Sequence, residues 1–273
     1  MNCAGKVLDL SRPCVMGILN VTPDSFSDGG RFDSLQNALD QAQLMIEQGA
    51  RIIDIGGEST RPGAQAVGVS EELDRVVPVI EALSKEISVP ISIDTNKPEV
   101  MCEAVNAGAG MINDVMALTA DGALEAALEA QVPVCIMHMQ GKPRTMQENP
   151  QYGDVVEDIY AYLAGRIDAC VNAGINREEI IVDPGFGFGK TLDQNLSLLA
   201  NFDRFSDLGV PVLAGISRKS MLGAITGKDV EDRVAASVAA ALISLQRGAS
   251  IVRVHDVAET VDAIAVLQAV DSI

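Results

Sequence analysis

Tryptophan is absent from this 273-residue chain and aromatic residues make up only 3% of it, while 48% of the residues are hydrophobic. Any core must therefore be aliphatic. Basic residues are also scarce: 20 Lys and Arg stand against 38 Asp and Glu, giving a net charge of −18. Nucleic acids and anionic membranes require a basic face, so the composition argues against both as partners. An anionic small molecule is still compatible, because a few clustered cations suffice to hold one. Cysteine pairing is lacking too. Cys3, Cys14, Cys102, Cys135 and Cys170 are odd in number and include no C-x-x-C pair. A reduced, cytoplasmic setting is the simplest account, with Cys135 acting as a small buried hydrophobe. No apolar run is long enough to cross a bilayer; the longest apolar helix expected, Val234–Leu245, is Ala-rich and too short. The N-terminus lacks the apolar stretch of a signal segment.

What the chain does have is eight short apolar runs that end in, or carry, polar residues. They are residues 15–20, 52–56, 91–94, 111–114, 134–138, 180–183, 212–217 and 251–255. Short aliphatic runs separated by helix-length segments are the pattern of parallel strands buried on both faces. The expected fold is α/β, a single (β/α)8 TIM barrel over residues 1–273. Helices are expected from Asp33 or Ser34 to Gly49, from Ser70, and from Pro98 to Gly108. Others are expected at 122–130, 155–173, 192–202, 231–246 and 258–269. In such barrels the carboxyl ends of the strands form the active-site face, so Asn20, Asp94, Asn113, Asp183 and His255 should converge there. Two connections on that face, 21–33 and 57–69, exceed the roughly 2–6 residues usual for βα loops. Both are rich in Gly, Ser, Thr and Pro and read as mobile lids.

Asp183-Pro-Gly-Phe-Gly-Phe-Gly-Lys-Thr191 invites a P-loop reading that its spacing defeats, because Pro184 occupies the position of the motif's first glycine. Its glycines suit a turn in which backbone and the Phe186 or Phe188 ring approach a flat ligand. Asp94, Asn113 and Asp183 suit a planar heterocycle with paired N–H donors; metal ligation is the rival reading. Ser217-Arg218-Lys219-Ser220 and the Arg253/His255 pair supply an anion site where barrels commonly bind phosphate. Strand alternation turns Arg253 and His255 to the lumen. His138 reads as a core imidazole.

At these residues the chain resembles the dihydropteroate synthase family over nearly its whole length. The resemblance is carried by Met16-Gly-Ile-Leu-Asn-Val-Thr-Pro-Asp-Ser-Phe-Ser-Asp-Gly-Gly30, Asp54-Ile-Gly-Gly-Glu-Ser-Thr-Arg-Pro-Gly63, Ser92-Ile-Asp-Thr95, Asn113-Asp114, Asp183–Lys190 and Ser217–Ser220. It implies condensation of 4-aminobenzoate with (7,8-dihydropterin-6-yl)methyl diphosphate. It implies a pterin site of Asp94, Asn113, Met137, Asp183, Phe188, Gly215 and Lys219. It also implies a diphosphate site of Asn20, Thr60, Arg253 and His255, and a Mg²⁺ ion on Asn20 with Asp28 nearby. Phe26, Thr60, Arg61, Pro62, Phe188 and Ser220 would surround the aminobenzoate. Asp94, Lys219 and Asn20 would be catalytic, the two lids would order after diphosphate and Mg²⁺ bind, and the protein would be a homodimer. Three other functions fit parts of the pattern: a pterin-binding methyltransferase barrel, a non-catalytic pterin-binding barrel, and an aldolase-like barrel with Lys219 as a Schiff-base amine.

Overall fold

In a computed structural model of the chain, residues 1–22, 31–59, 66–141, 146 and 150–272 are described, with 31–34 described for their backbone alone. Eight strands form one sheet: β1 Cys14–Asn20, β2 Ile52–Gly56, β3 Ile91–Asp94, β4 Met111–Asp114, β5 Val134–Met137, β6 Ile180–Asp183, β7 Leu213–Ala214 and β8 Ile251–Val254. All neighbouring pairs are parallel, from β6 through β1 to β8 and β7. A parallel bridge between Val182 and Val212 joins the two ends, so the sheet closes into the expected barrel. Strand 7 is shorter than its apolar run, which leaves the sheet at Gly215 and becomes the wall of the site.

Nine helices are described: α1 Arg31–Glu47, α2 Val69–Glu86, α3 Pro98–Ala107, α4 Ala123–Ala130, α5 Val155–Ala173, α6 Leu192–Ala200, α7 Ser220–Thr226, α8 Val234–Gln246 and α9 Val257–Asp271. Pro98 and Gly108 bound α3 as expected, with Gly108 at φ 118°. Several ends differ from expectation. Helix α1 begins ahead of Asp33 and Ser34. Helix α6 stops at Ala200 and a 3₁₀ segment, Phe202–Leu208, follows it. Glu231 lies in a separate 3₁₀ turn before α8. Helix α7 has no counterpart in the sequence reading, because Ser-Arg-Lys-Ser reads as loop chemistry. None of the described helices is long and apolar enough to cross a membrane.

Strand alternation splits the hydrophobic residues into two separate clusters. Outward-facing Val15, Ile53, Ile93, Ile112, Ile136 and Val182 pack under the helices. Inward-facing Cys14, Met16, Ile52, Met111, Cys135, Ile181, Leu213 and Ile251 fill the lower lumen together with Cys3 and Leu8. Cys3 belongs to an N-terminal hairpin, Asn2–Cys3 paired with Lys6–Val7, that the sequence reading missed. Its turn, Ala4-Gly5, has both φ angles positive (51° and 87°), the geometry of a tight hairpin. The lower lumen is thus apolar and plugged, and ligand-binding groups are confined to its upper half.

Candidate active site

Past the apolar floor, four of the strands change their inward residues from apolar to polar. Ile52 gives way to Asp54, Met111 to Asn113, Ile181 to Asp183, and Ile251 to Arg253. Asn113, Asp183 and Arg253 line a cavity of about 440 Å³, including its open mouth, while Asp54 meets Asn113 and Arg253 outside that lining. Asp94, Asn113, Met137, Asp183, Phe188, Gly215 and Lys219, the whole set expected at a pterin, line it together with Arg253 and His255. Ser217 of the expected anion site also lines it, as do Ile18 and Val115, which the sequence does not single out.

Arg253 is the electrostatic centre. Its Nε donates to Asp54 Oδ2 at 2.5 Å and its Nη2 to Asp94 Oδ2 at 2.7 Å. Asp54 is fully buried and also accepts from Asn113 Nδ2 at 3.1 Å. Sequence reasoning missed Asp54, which sits within an aliphatic run. The available signal was a charged residue at an inward position of a central strand, which demands a buried partner. Burial pushes the Asp94 carboxyl up to about 7; Arg253 opposes that rise, while Asp54, Asp114 and Glu72 add to it.

Asp183 and Lys219 form the second charged pair. Burial raises the Asp183 carboxyl above its usual range, against the pull of Lys219. Burial brings Lys219 down to about 8, with Asp183 acting against the fall. The Lys219 ammonium lies 4.3 Å from the Phe188 ring centroid and donates to the Phe186 carbonyl. Of the two rings offered by the Gly-Phe-Gly-Phe-Gly turn, only Phe188 lines the cavity. Phe186 is fully buried and stacks on Phe202.

That turn is held from behind by Lys190, which donates to the Gly185 and Phe188 carbonyls at 2.7 and 3.1 Å. Lys190 Nζ also lies 3.1 Å from His138 Nδ1. Burial and then Lys190 lower the imidazole to about 3, so His138 is a neutral core group, as expected. The glycines serve the chain's own backbone more than a ligand. Gly185 has φ +73°, and a Cβ there would stand 2.0 Å from the His138 carbonyl oxygen. Gly185→Ala is therefore expected to lower stability by roughly 3 kcal/mol or more, through strain and backbone displacement. At Gly215 the new Cβ would meet Asp183 Oδ2 at 3.4 Å, and Gly215→Ala should fold nearly normally. Comparison of their thermal midpoints checks this.

His255 Nδ1 lies 3.1 Å from Ser217 Oγ, and Ser217 Oγ also accepts from the His255 backbone N–H at 3.2 Å. Arg218 departs from expectation. It has φ 56°, and its guanidinium turns to Asp256 (2.5 and 3.1 Å) and Glu231 (2.7 Å), not to the cavity. It is a structural cation. Ser220 opens α7, is exposed, and does not line the cavity. Asn20 ends β1 beside the mouth: a Cβ on Gly56 would lie 3.8 Å from Asn20 Oδ1 and 3.9 Å from Asp94 Oδ2. Phe26, Asp28, Thr60, Arg61 and Pro62, with the central parts of both expected lids, lie outside the described residues. Among the described residues no cluster of three His, Cys, Asp or Glu side chains is able to hold a metal. Asp94 is engaged by Arg253, and Asp183 accepts from the Gly185 N–H at 2.7 Å while feeling the charge of Lys219.

Comparison with known proteins agrees with this geometry. Residues 16–255 match the pterin binding enzyme family. The dihydropteroate synthase of Haemophilus influenzae is 56% identical, over 97% of this chain and 96% of that protein. A structure of Xanthomonas albilineans dihydropteroate synthase with 4-aminobenzoic acid superposes with a TM-score of 0.95 at 55% identity, covering 100% of this chain and 98% of that one. The same enzyme in complex with 7,8-dihydropteroate gives a TM-score of 0.92 at 52% identity, with the same coverage. An acceptor-lined cavity flanked by cations, in a barrel that matches these proteins from end to end, places the chain in the dihydropteroate synthase family of pterin-binding enzymes.

Proposed function

We propose that this site joins 4-aminobenzoate to (7,8-dihydropterin-6-yl)methyl diphosphate, giving 7,8-dihydropteroate and pyrophosphate in folate synthesis. One observation carries the reading: Asp94, Asn113 and Asp183 gather hydrogen-bond acceptors in the cavity where Lys219 and Arg253 supply positive charge. A pterin presents several N–H donors along one edge, and carboxylates bind such an edge with strength and orientation. Lys219 above the Phe188 ring closes one side of the pocket, and Met137 and Gly215 form its apolar wall.

The reacting carbon lies between the pterin and the diphosphate. As the carbon–oxygen bond breaks, negative charge grows on the leaving group and positive charge on the pterin-stabilised methylene. Arg253 and His255 stabilise the departing diphosphate, and Asp94 lies near the developing cation. Ser217 orients the His255 ring toward this task. The arylamine is neutral at physiological pH and needs no strong base, which accounts for the lack of a Ser-His-Asp or Cys-His arrangement among the described residues. Phe26, Thr60, Arg61, Pro62 and Ser220 are assigned to the aminobenzoate.

The residues present fit a Mg²⁺ ion. Asn20 offers a hard oxygen donor at the mouth, and Mg²⁺ takes few protein ligands when substrate phosphates supply the rest. Three carboxylates, Asp54, Asp94 and Asp183, face two cavity cations, so a diphosphate gains from an added dication. Asn20, with Asp28, would hold the ion, and its chemistry is neutralisation of the leaving group's charge. We further assign the protein to the cytoplasm as a homodimer. Support for the dimer comes from apolar Val266 and Val270, 67% and 61% exposed on α9, and from exposed Ile243 on α8, the helix packed against it.

A pH profile tests the site. Pterin binding uses Asp94 ionised and Lys219 protonated. Asp94 gains its charge as pH rises through about 7 and Lys219 loses its proton through about 8. The kcat/KM for the pterin diphosphate should be bell-shaped, with a narrow maximum between these values. A profile flat across both would refute the assignment.

A further inference from the structure

Asn113 can face a ligand in two ways, offering either its carbonyl or its NH₂ group, and the choice decides what it recognises. Here a neighbour makes that choice. Asn113 Nδ2 donates to Asp54 Oδ2 at 3.1 Å, and a carboxylate oxygen can only accept, so the amide nitrogen is committed below the cavity. Arg253 Nε fixes the same oxygen at 2.5 Å, so Asp54 cannot swing aside. Asp54 is fully buried and lies on β2, in register with Ser92 two residue pairs below the Gly56–Asp94 pair. It does not line the cavity itself.

We propose that Asp54 is a positioning residue that sets the hydrogen-bonding polarity of the pterin site, turning the Asn113 carbonyl toward the ligand. Asp94, Asn113 and Asp183 then present acceptors alone, matching a ligand edge made of N–H donors. The inference rests on the pterin reading and deepens it: Asp54 selects a 2-amino pterin over a 2-oxo analogue, in which a donor is replaced by an acceptor. A site whose buried acceptors would be left unpaired rejects such an analogue strongly.

Two substitutions separate orientation from charge. Asp54→Asn keeps an acceptor oxygen for Asn113. Its new NH₂ group can occupy the place of Oδ1, which has no partner among the described residues; the buried Ser92 hydroxyl on the neighbouring strand also has none. Asp54→Ala removes the acceptor and frees Asn113 to turn over. The experiment measures dissociation constants of 6-hydroxymethyl-7,8-dihydropterin and its 2-oxo (lumazine) counterpart for wild type and both variants. The wild type should prefer the 2-amino compound. That preference should shrink about tenfold or more in Asp54→Ala, the equivalent of one hydrogen bond, and stay within about threefold of wild type in Asp54→Asn.

An unchanged preference in folded Asp54→Ala, or an equal loss in both variants, overturns the proposal. Failure of the wild type to bind either compound overturns the pterin reading instead, and the inference with it. If Asp54→Ala does not fold, the wild-type Asn113 side-chain NH₂ resonance, identified by its loss in Asn113→Asp, decides. Protection from exchange before ligand is added, with little shift on pterin binding, supports the proposal. Protection that develops only with the pterin contradicts it.

Discussion

Replacing Arg253 with methionine should both unfold the barrel more easily and disable it. The substitution leaves Asp54, fully buried, and Asp94, 9% exposed, without the guanidinium that bridges them at 2.5 and 2.7 Å. Stranding one buried charge by removing its partner costs about 3–5 kcal/mol, a large part of the roughly 5–15 kcal/mol that stabilises a domain. The loss carries a pH signature. Burial pushes the Asp94 carboxyl from its ordinary 3.8 up to about 7, so the folded state holds a proton that the unfolded state releases between those values. Stability therefore falls as pH rises through that window. Arg253 limits the rise of the Asp94 pKa, so without it the window extends to higher pH. The difference between Arg253→Met and wild type should be smaller at pH 6 and widen above pH 7. Loss of the leaving-group cation should lower kcat by about 10²–10³-fold, the scale of removing one transition-state donor. Chemical denaturation on both sides of pH 7 checks the first part. Equal destabilisation at both pH values would contradict it.

Lys219→Met should show the reverse relation between stability and function. The wild-type lysine is held below its ordinary pKa, chiefly by burial, so its charge is a burden to the folded state despite Asp183. Its folded pKa of about 8 lies below the unfolded 10.5, so the unfolded state binds more protons between those values. Wild-type stability consequently rises with pH across that window, and the methionine variant lacks this rise. Methionine retains much of the apolar stem over Phe188. The variant should melt at or above the wild-type midpoint at neutral pH while kcat/KM for the pterin diphosphate falls about 10²–10³-fold. Stability gained as a function-specific strain is removed is the known trade-off at active sites. A variant that loses stability together with activity would show that Lys219 is mainly structural.

The barrel is legible in the sequence because its strands are short aliphatic runs whose inward positions become polar at one end. Ile52-Ile53-Asp54 and Met111-Ile112-Asn113 carry the pattern in a few residues each. The same alternation brings Asp94, Asn113, Asp183 and Arg253 to one cavity. What escaped the reading were features fixed by contacts distant in sequence. The two-residue strands of the hairpin are too short for any periodicity, and their position depends on Cys3 and Leu8 filling the barrel floor. Arg218 is adjacent in sequence to Lys219, yet its positive φ and the Asp256 carboxylate turn it away. Asp54 stands 199 residues from Arg253 along the chain, so their ion pair depends on barrel closure. A buried charge in mid-strand still signals that such a partner exists.

The most direct test of the account is to follow pyrophosphate and dihydropteroate together when the protein is given dihydropterin-methyl diphosphate, 4-aminobenzoate and Mg²⁺, with Asp94→Asn and Lys219→Met in parallel. Equal amounts of the two products from the wild type, and a steep loss in both variants, is the predicted result. Tight pterin binding without pyrophosphate release, or release undiminished in the variants, would contradict it.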